Sequence, residues 1–201
     1  MRASRSPLLI ITAIVSTVGC AAPRGAVTPS AEAEPDASAR LLDVDGNVVG
    51  VVTFTTVEKG VLVEAGLEGL GGDPGFRGFH IHENADCDPE HPEGPFMGAG
   101  GHWSPQGLPH GEHEGDLPSL LVLADGSAHA SFVTDRFTVD SLLASGVAVL
   151  LHGDKDNFAH IPDRYRSEAA EEPGPDEDTL ATGDAGGRAA CGIVEEAARP
   201  S

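Results

Sequence analysis

From residue 41 onward, apolar and polar positions alternate in short runs separated by turn residues. Residues 41–44 precede the turn Asp45-Gly46-Asn47, residues 48–57 follow it, and Glu58-Lys59-Gly60 leads into residues 61–67. Further runs occupy residues 76–82, 120–123, 128–133, 147–152 and 190–194, with Asp125-Gly126 between the second and third of these. A period of two puts successive side chains on opposite faces of a strand. An Asp-Gly pair between two such runs is a strong hairpin signal. Asp140 is predicted to cap one short helical turn over residues 141–145, which Gly146 ends. Many short strands without long amphipathic helices predict an all-β sandwich or barrel. Two stretches, residues 84–115 and 153–187, are too long and polar for hairpins. Long loops on a rigid sheet are where sites are built.

The chain before residue 41 has a different pattern. Arg2 and Arg5 precede an apolar run over residues 8–18, and small residues then lead to Cys20. A positive start followed by a short apolar run reads as an export signal over residues 1–20. A membrane-spanning helix needs roughly 20 apolar residues, more than this run supplies. Gly19 directly before Cys20 resembles a bacterial lipobox, in which the cysteine carries lipid, although Thr17 stands where such boxes usually have leucine. The same residues also fit a plain secretory signal cut near Ala21 or Ala22. Residues 21–40 hold hardly any large apolar side chain and are predicted to be a disordered tether. Residues 41–196 fit one domain with a single core, followed by a tail over residues 197–201. The expected location is therefore the cell envelope, with the domain held on a membrane through Cys20 or released if no lipid is attached.

Charge narrows the possible partners. Thirty-two acidic residues stand against twelve Lys and Arg, a net charge of −20, and loss of Arg2 and Arg5 with the signal would take it to −20 − 2 = −22. Nucleic acid is excluded as a partner, because phosphate binding needs a basic footprint. So acidic a surface mainly serves solubility. Of the three cysteines, Cys20 belongs to the leader, which leaves Cys87 and Cys191 as an even pair. In an oxidising compartment such a pair reads as a disulfide, with free thiols or metal thiolates as the alternative.

The chemistry lies in the histidines. His80 and His82 sit two apart on a predicted strand, so both imidazoles leave from one face while Phe79 and Ile81 leave from the other. Imidazole nitrogens in a tetragonal set suit copper. Three imidazoles and one carboxylate, available from His102, His110, His113 and Asp116, make an ordinary tetrahedral zinc site. The whole series runs Gly78-Phe79-His80-Ile81-His82, Gly101-His102-Trp103, His110, His113, Asp116, His152, and Gly187-Arg188-Ala189-Ala190-Cys191-Gly192. On these motifs the chain resembles the copper,zinc superoxide dismutases from about residue 41 to residue 194.

That resemblance implies an immunoglobulin-like Greek-key sandwich, or flattened eight-stranded barrel, with two long metal-site loops. It implies copper held by His80, His82, His102 and His152, and zinc held by His102, His110, His113 and Asp116, with His102 shared. It also implies a Cys87–Cys191 disulfide, and Asp156 as a carboxylate bonded to one histidine of each set. Arg188 would hold the superoxide anion, His102 would supply a proton, and Thr182 would stand across the channel. The implied reaction turns two superoxide anions and two protons into O2 and H2O2, in a monomer or homodimer. The alternative is a related domain that binds or delivers copper without catalysis; retention of every copper histidine and of Arg188 weighs against it.

One departure stands out. Only Gly111-Glu112 separates His110 from His113, a shorter gap than is usual in the family. The expectation is that the short segment strains closure of the site and lowers zinc affinity. The 173–182 segment holds Asp176, Glu177 and Asp178 but no lysine, so it offers no positive guide for an anion. His91, His129 and His160 match nothing in the series and read as structural or exposed.

Overall fold

The computed structural model describes residues 34–168 and 172–198. The export signal, Cys20, most of the expected tether and the last three residues lie outside the described residues. Nine strands form one antiparallel sheet: β1 (Ala37–Asp43), β2 (Val48–Val57), β3 (Gly60–Leu67), β4 (Gly75–Arg77), β5 (Phe79–His82), β6 (Leu120–Val122), β7 (Ala128–Thr134), β8 (Ala148–His152) and β9 (Arg188–Glu196). The strand order is β4-β6-β7-β3-β2-β1-β9-β8-β5. The two outermost strands, β4 and β5, are consecutive in the chain and separated only by Gly78. The sheet therefore curls until its edges meet end to end, a nearly closed barrel with Greek-key crossovers.

The count is nine strands rather than eight because the run 76–82 is not one strand. It breaks at Gly78, whose N–H donates to Asp154 O at 2.9 Å and whose carbonyl accepts from His152 N at 2.8 Å. Before the break the strand pairs with β6, and after it with β8. The domain also begins earlier than residue 41. Ala37 pairs with Phe54 on β2 and with Glu196 on β9, and Ala37 and Ala39 are fully buried. Small alanines carry the two-residue alternation there, so the inward face is present without large side chains.

Two short helices complete the described body. In α1 (Val139–Ser145) the cap is Thr138, not Asp140: the Thr138 side chain accepts from Ser141 N, the Ser141 side chain accepts from Thr138 N, and Asp140 falls in the first turn. Gly146 ends the helix in a left-handed conformation, as expected. A second helix, α2 (Glu177–Thr182), lies where a loop was expected, capped by Asp176 and ended by Gly183. Its acids sit in the first turn, where the helix dipole favours them. None of the described helices is long and apolar enough to cross a membrane.

The barrel interior holds Leu41, Val52, Phe54, Val63, Leu67, Phe79, Ile81, Leu120, Val149 and Leu151, all buried. A second, smaller cluster lies outside the barrel wall, made of Phe96, Ala99, Ala148, Leu150 and Cys191, with Cys87 packed against it. Strands β5 and β8 are accordingly buried on both faces. The second covering layer is the 83–119 loop. It is tied down by the Cys87–Cys191 bond, whose partners are 104 residues apart. In the chain-entropy account a bridge closing ~100 residues contributes roughly 4.7 kcal/mol.

Candidate metal centre

An edge strand leaves a row of unpaired backbone groups, and here the metal loop uses them. Along the free side of β5, Trp103 N donates to Ile81 O and Ile81 N donates to Gly115 O, both at 2.8 Å. Glu83 N donates to Gly101 O at 3.0 Å, and Leu117 N donates to Phe79 O at 3.2 Å. The outcome is two short bridges, His82 beside His102 and His80 beside Asp116. A loop docked in strand register thus sets its two metal-facing residues next to the His-x-His pair.

Four imidazoles gather on this outer face. His80 and His82 alternate with inward Phe79 and Ile81, and His152 follows the same parity from β8, after inward Leu151. All four, His102 included, are buried, and one ring nitrogen of each lies within 4.8 Å of the others. The other nitrogen of three rings is fixed by an acceptor. His82 Nδ1 donates to Gly100 O at 3.0 Å, His152 Nδ1 to Gly186 O at 3.1 Å, and His80 Nε2 to Asp156 Oδ2 at 2.8 Å. A carbonyl or carboxylate can only accept, so each ring carries its proton there and turns a lone pair inward. His82 Nε2 and His152 Nε2 meet at 3.3 Å, while His80 Nδ1 and His102 Nε2 are buried without any hydrogen-bond partner. Orphaned buried nitrogens with converging lone pairs fit copper. Burial holds these rings neutral: His82 lies well below its ordinary range, His102 falls to about 4 and His152 to about 3.

The neighbouring set is held by charge. His102 Nδ1, His110 Nδ1 and His113 Nδ1 each lie 3.1 Å from Asp116 Oδ1, and His102 Nδ1 lies 3.1 Å from His110 Nδ1. A tetrahedral zinc site with bonds of ~2.0 Å has ligand-to-ligand edges of about 3.3 Å, which the contacts among His102, His110 and Asp116 match. His113 joins them through Asp116 Oδ1, and the four ligand atoms that lie within 4.8 Å of one another here are those of His80, His102, His110 and Asp116. Both nitrogens of His102 face ligands and neither meets a backbone carbonyl, which suits a ring shared by two metals. Burial opposes charge on His110, but Asp116 and Asp156 outweigh it and push the ring up to about 9. Asp116 and Asp156 likewise resist burial and sit well below the usual carboxylate range, through bonds from His102, His110 and His113 and from His110 and His80. Asp156 joins the halves, taking His80 Nε2 on one oxygen and His110 Nε2 on the other, each at 2.8 Å.

The short His110–His113 segment closes without slack. Gly111 takes a left-handed φ of 88°, and its N–H donates to Asp116 Oδ2 at 2.6 Å. His113 N reaches the same oxygen at 3.1 Å. The expected strain does not appear at any non-glycine residue of the segment, because glycine takes the turn at no steric cost. Arg188 is half-buried, and its guanidinium donates to the carbonyls of Phe96 and Gly100. Gly100 O therefore serves both Arg188 and the copper-facing His82. Phe96, fully buried with φ 60°, is a bulky residue in the left-handed region, where strain is unusual enough to mark a site. Thr182 is not brought to the histidines among the described contacts: it is exposed at the end of α2 and its hydroxyl donates to Asp178 O. His129 and His160 are exposed and His91 partly so.

The sequence model of the copper/zinc superoxide dismutases matches residues 48–194. A superoxide dismutase [Cu-Zn] of Mycobacterium tuberculosis is 40% identical over 158 residues, covering 75% of this chain and 66% of that protein. One of Neisseria meningitidis is 36% identical over 164 residues, covering 76% of this chain and 77% of that protein. The Cu/Zn superoxide dismutase from Brucella abortus superposes with a TM-score of 0.59 at 27% identity, covering 80% of this chain and all of that one. The chain spans about two thirds of the mycobacterial relative's length. With sequence, fold and donor set in agreement, the chain belongs to the copper/zinc superoxide dismutase family.

Proposed function

We propose that this protein is an exported superoxide dismutase, carried on a membrane through lipid on Cys20. The observation that supports the activity most is the pairing of four converging imidazole lone pairs with a fixed, half-buried guanidinium. Bound copper supplies a one-electron couple that two superoxide anions meet in turn, giving O2 and, with two protons, H2O2. Arg188 commits two of its five N–H groups to Phe96 and Gly100, and the rest are available to orient a small anion. His102 Nδ1 is held against Asp116 and His110, so a proton can be held and handed on at Nε2 without moving the ring. The His110 and His113 half keeps that ring in place.

Metal analysis of the purified protein together with a superoxide disproportionation assay tests this. Arg188→Ala should keep copper and lose turnover, since the cation orients substrate and ligates nothing. Copper-loaded native protein that left superoxide decay at its uncatalysed rate would move the reading to copper binding or delivery. Export is supported by the apolar run over residues 8–18 and by the Cys87–Cys191 bond, which suits an oxidising compartment. Cys20→Ser should shift the protein from the membrane to the soluble fraction, because acyl chains supply the membrane affinity. Native protein already found in the soluble fraction would favour a plain secretory signal.

A further inference from the structure

The segment between His110 and His113 is gripped from two sides. On the inner side Asp116 Oδ2 takes the N–H groups of Gly111 and His113, at 2.6 and 3.1 Å. On the outer side stands Arg136, two residues past the end of β7. Its Nη1 donates to His113 O at 2.7 Å and its Nη2 to Gly111 O at 3.2 Å. Glu112 N is also used, donating to Pro109 O at 3.0 Å. The segment from Gly111 to His113 therefore has its polar backbone groups committed at both ends, with a carboxylate on one side and a guanidinium on the other. No carboxylate pairs with Arg136 among the described residues, so its cation is spent on the segment's two carbonyls.

We propose that Arg136 is a positioning residue for the zinc ligands: its planar fork fixes the Gly111 and His113 carbonyls, and so sets His113 Nδ1 at its place beside Asp116. This rests on the reading of His102, His110, His113 and Asp116 as the zinc set. A rigid guanidinium holds two carbonyls at a set spacing, which a single flexible ammonium cannot do. A ligand segment ordered before the ion arrives lowers the ordering cost of binding, and metal affinity rises by that amount. The short gap is then an arrangement held by a residue from another part of the chain, in place of the longer segment usual in the family.

The test compares Arg136→Ala and Arg136→Lys with the native chain. Zinc affinity is read by chelator competition, copper affinity in parallel, and Tm in both metal-free and zinc-loaded protein. Arg136→Ala should weaken zinc roughly 10- to 100-fold, the usual effect of losing a partner that orients a ligand. Arg136→Lys should recover only part of it, and copper affinity should stay native. Tm should fall more in the zinc-loaded than in the metal-free protein. Unchanged zinc affinity, or an equal fall in both Tm values, would overturn the proposal and leave Arg136 a general brace. His113→Ala separates the two readings: if it held zinc as tightly as the native chain, the ligand assignment itself would fail, whatever Arg136 did.

Discussion

The copper half and the zinc half of the centre share one ring, yet they are built on opposite principles. The copper half stands on regular strands, β5 and β8, and on a loop docked against β5 in strand register. Its rings are kept neutral by burial and aimed by backbone carbonyls at Gly100 and Gly186. The zinc half stands on loop, carries Asp116, and draws a proton onto His110. On the sheet only His80 calls on a charge, the Asp156 carboxylate; His82 and His152 are fixed by backbone carbonyls alone. A loop needs anions, and an ion or a proton between them. The copper nitrogens are thus set ready for metal, whereas the zinc site must first give up a proton.

The sharpest break of this comparison comes from the copper histidines. His152→Ala should abolish copper binding and activity while zinc affinity holds, since its fixing contact is the Gly186 carbonyl. His80→Ala should lose both copper and part of the zinc affinity, because it also frees one oxygen of Asp156, the partner of His110. Metal analysis of the two variants decides it. Equal loss of zinc in both would show the halves to be one unit.

The next effect is on pH. Zinc must displace the proton on His110, whose affinity lies near 9, while the copper rings lie below neutrality. In copper-free protein zinc affinity should therefore rise about tenfold per pH unit from 7 towards 9, with about one proton released per ion. Copper binding first should release close to none, and whichever ion binds second also displaces the N–H proton of the shared His102. The metal-free fold behaves conversely. The raised His110 stabilises it fully below the ordinary 6.5, and that contribution is lost as pH rises through about 9. Calorimetry in buffers of different ionisation enthalpy counts the protons. A zinc affinity that was flat from pH 7 to 9 would remove the distinction between the halves.

The smallest expected effect tests the joint itself. A Cβ on Gly183 would lie 2.1 Å from Asp156 Oδ1 and 2.3 Å from His110 Nε2, at a φ of 62°. Gly183→Ala should cost roughly 1–3 kcal/mol of stability. Zinc affinity should fall before copper affinity, because His110 has no strand beneath it. Denaturant unfolding and metal competition give both numbers.

Much of this was legible in the sequence because it depends on side-chain type and period. The Phe79–His82 alternation gives the two-faced strand, and the family resemblance marks the residues from His102 to Asp116 as a second donor set. The Gly78 break was hidden because a run of suitable residues says nothing about a change of partner strand. Ala37 and Ala39 looked like tether because their burial depends on pairing with β2 and β9, not on bulk. The second helix did carry its signals, Asp176 before Glu177-Asp178 and Gly183 after Thr182, within a segment whose acids and length otherwise fit a loop. Arg136 and Phe96 had none. What they contribute is the direction of a carbonyl or the fork that meets one, and no residue spacing encodes that. Thr182 shows the reverse, a match in spacing whose hydroxyl is used within its own helix.

The position of β9 puts a clock on this molecule. The last strand among the described residues is not at an edge of the sheet but between β1 and β8. Until residues 188–196 emerge, the first strand lacks one neighbour, β8 lacks one of its two, Cys87 lacks its partner Cys191 and Arg188 is absent. Synthesis proceeds from the other end, so barrel closure, the disulfide and the placing of Arg188 all wait for that strand. Before that point neither the barrel nor the metal centre can be complete.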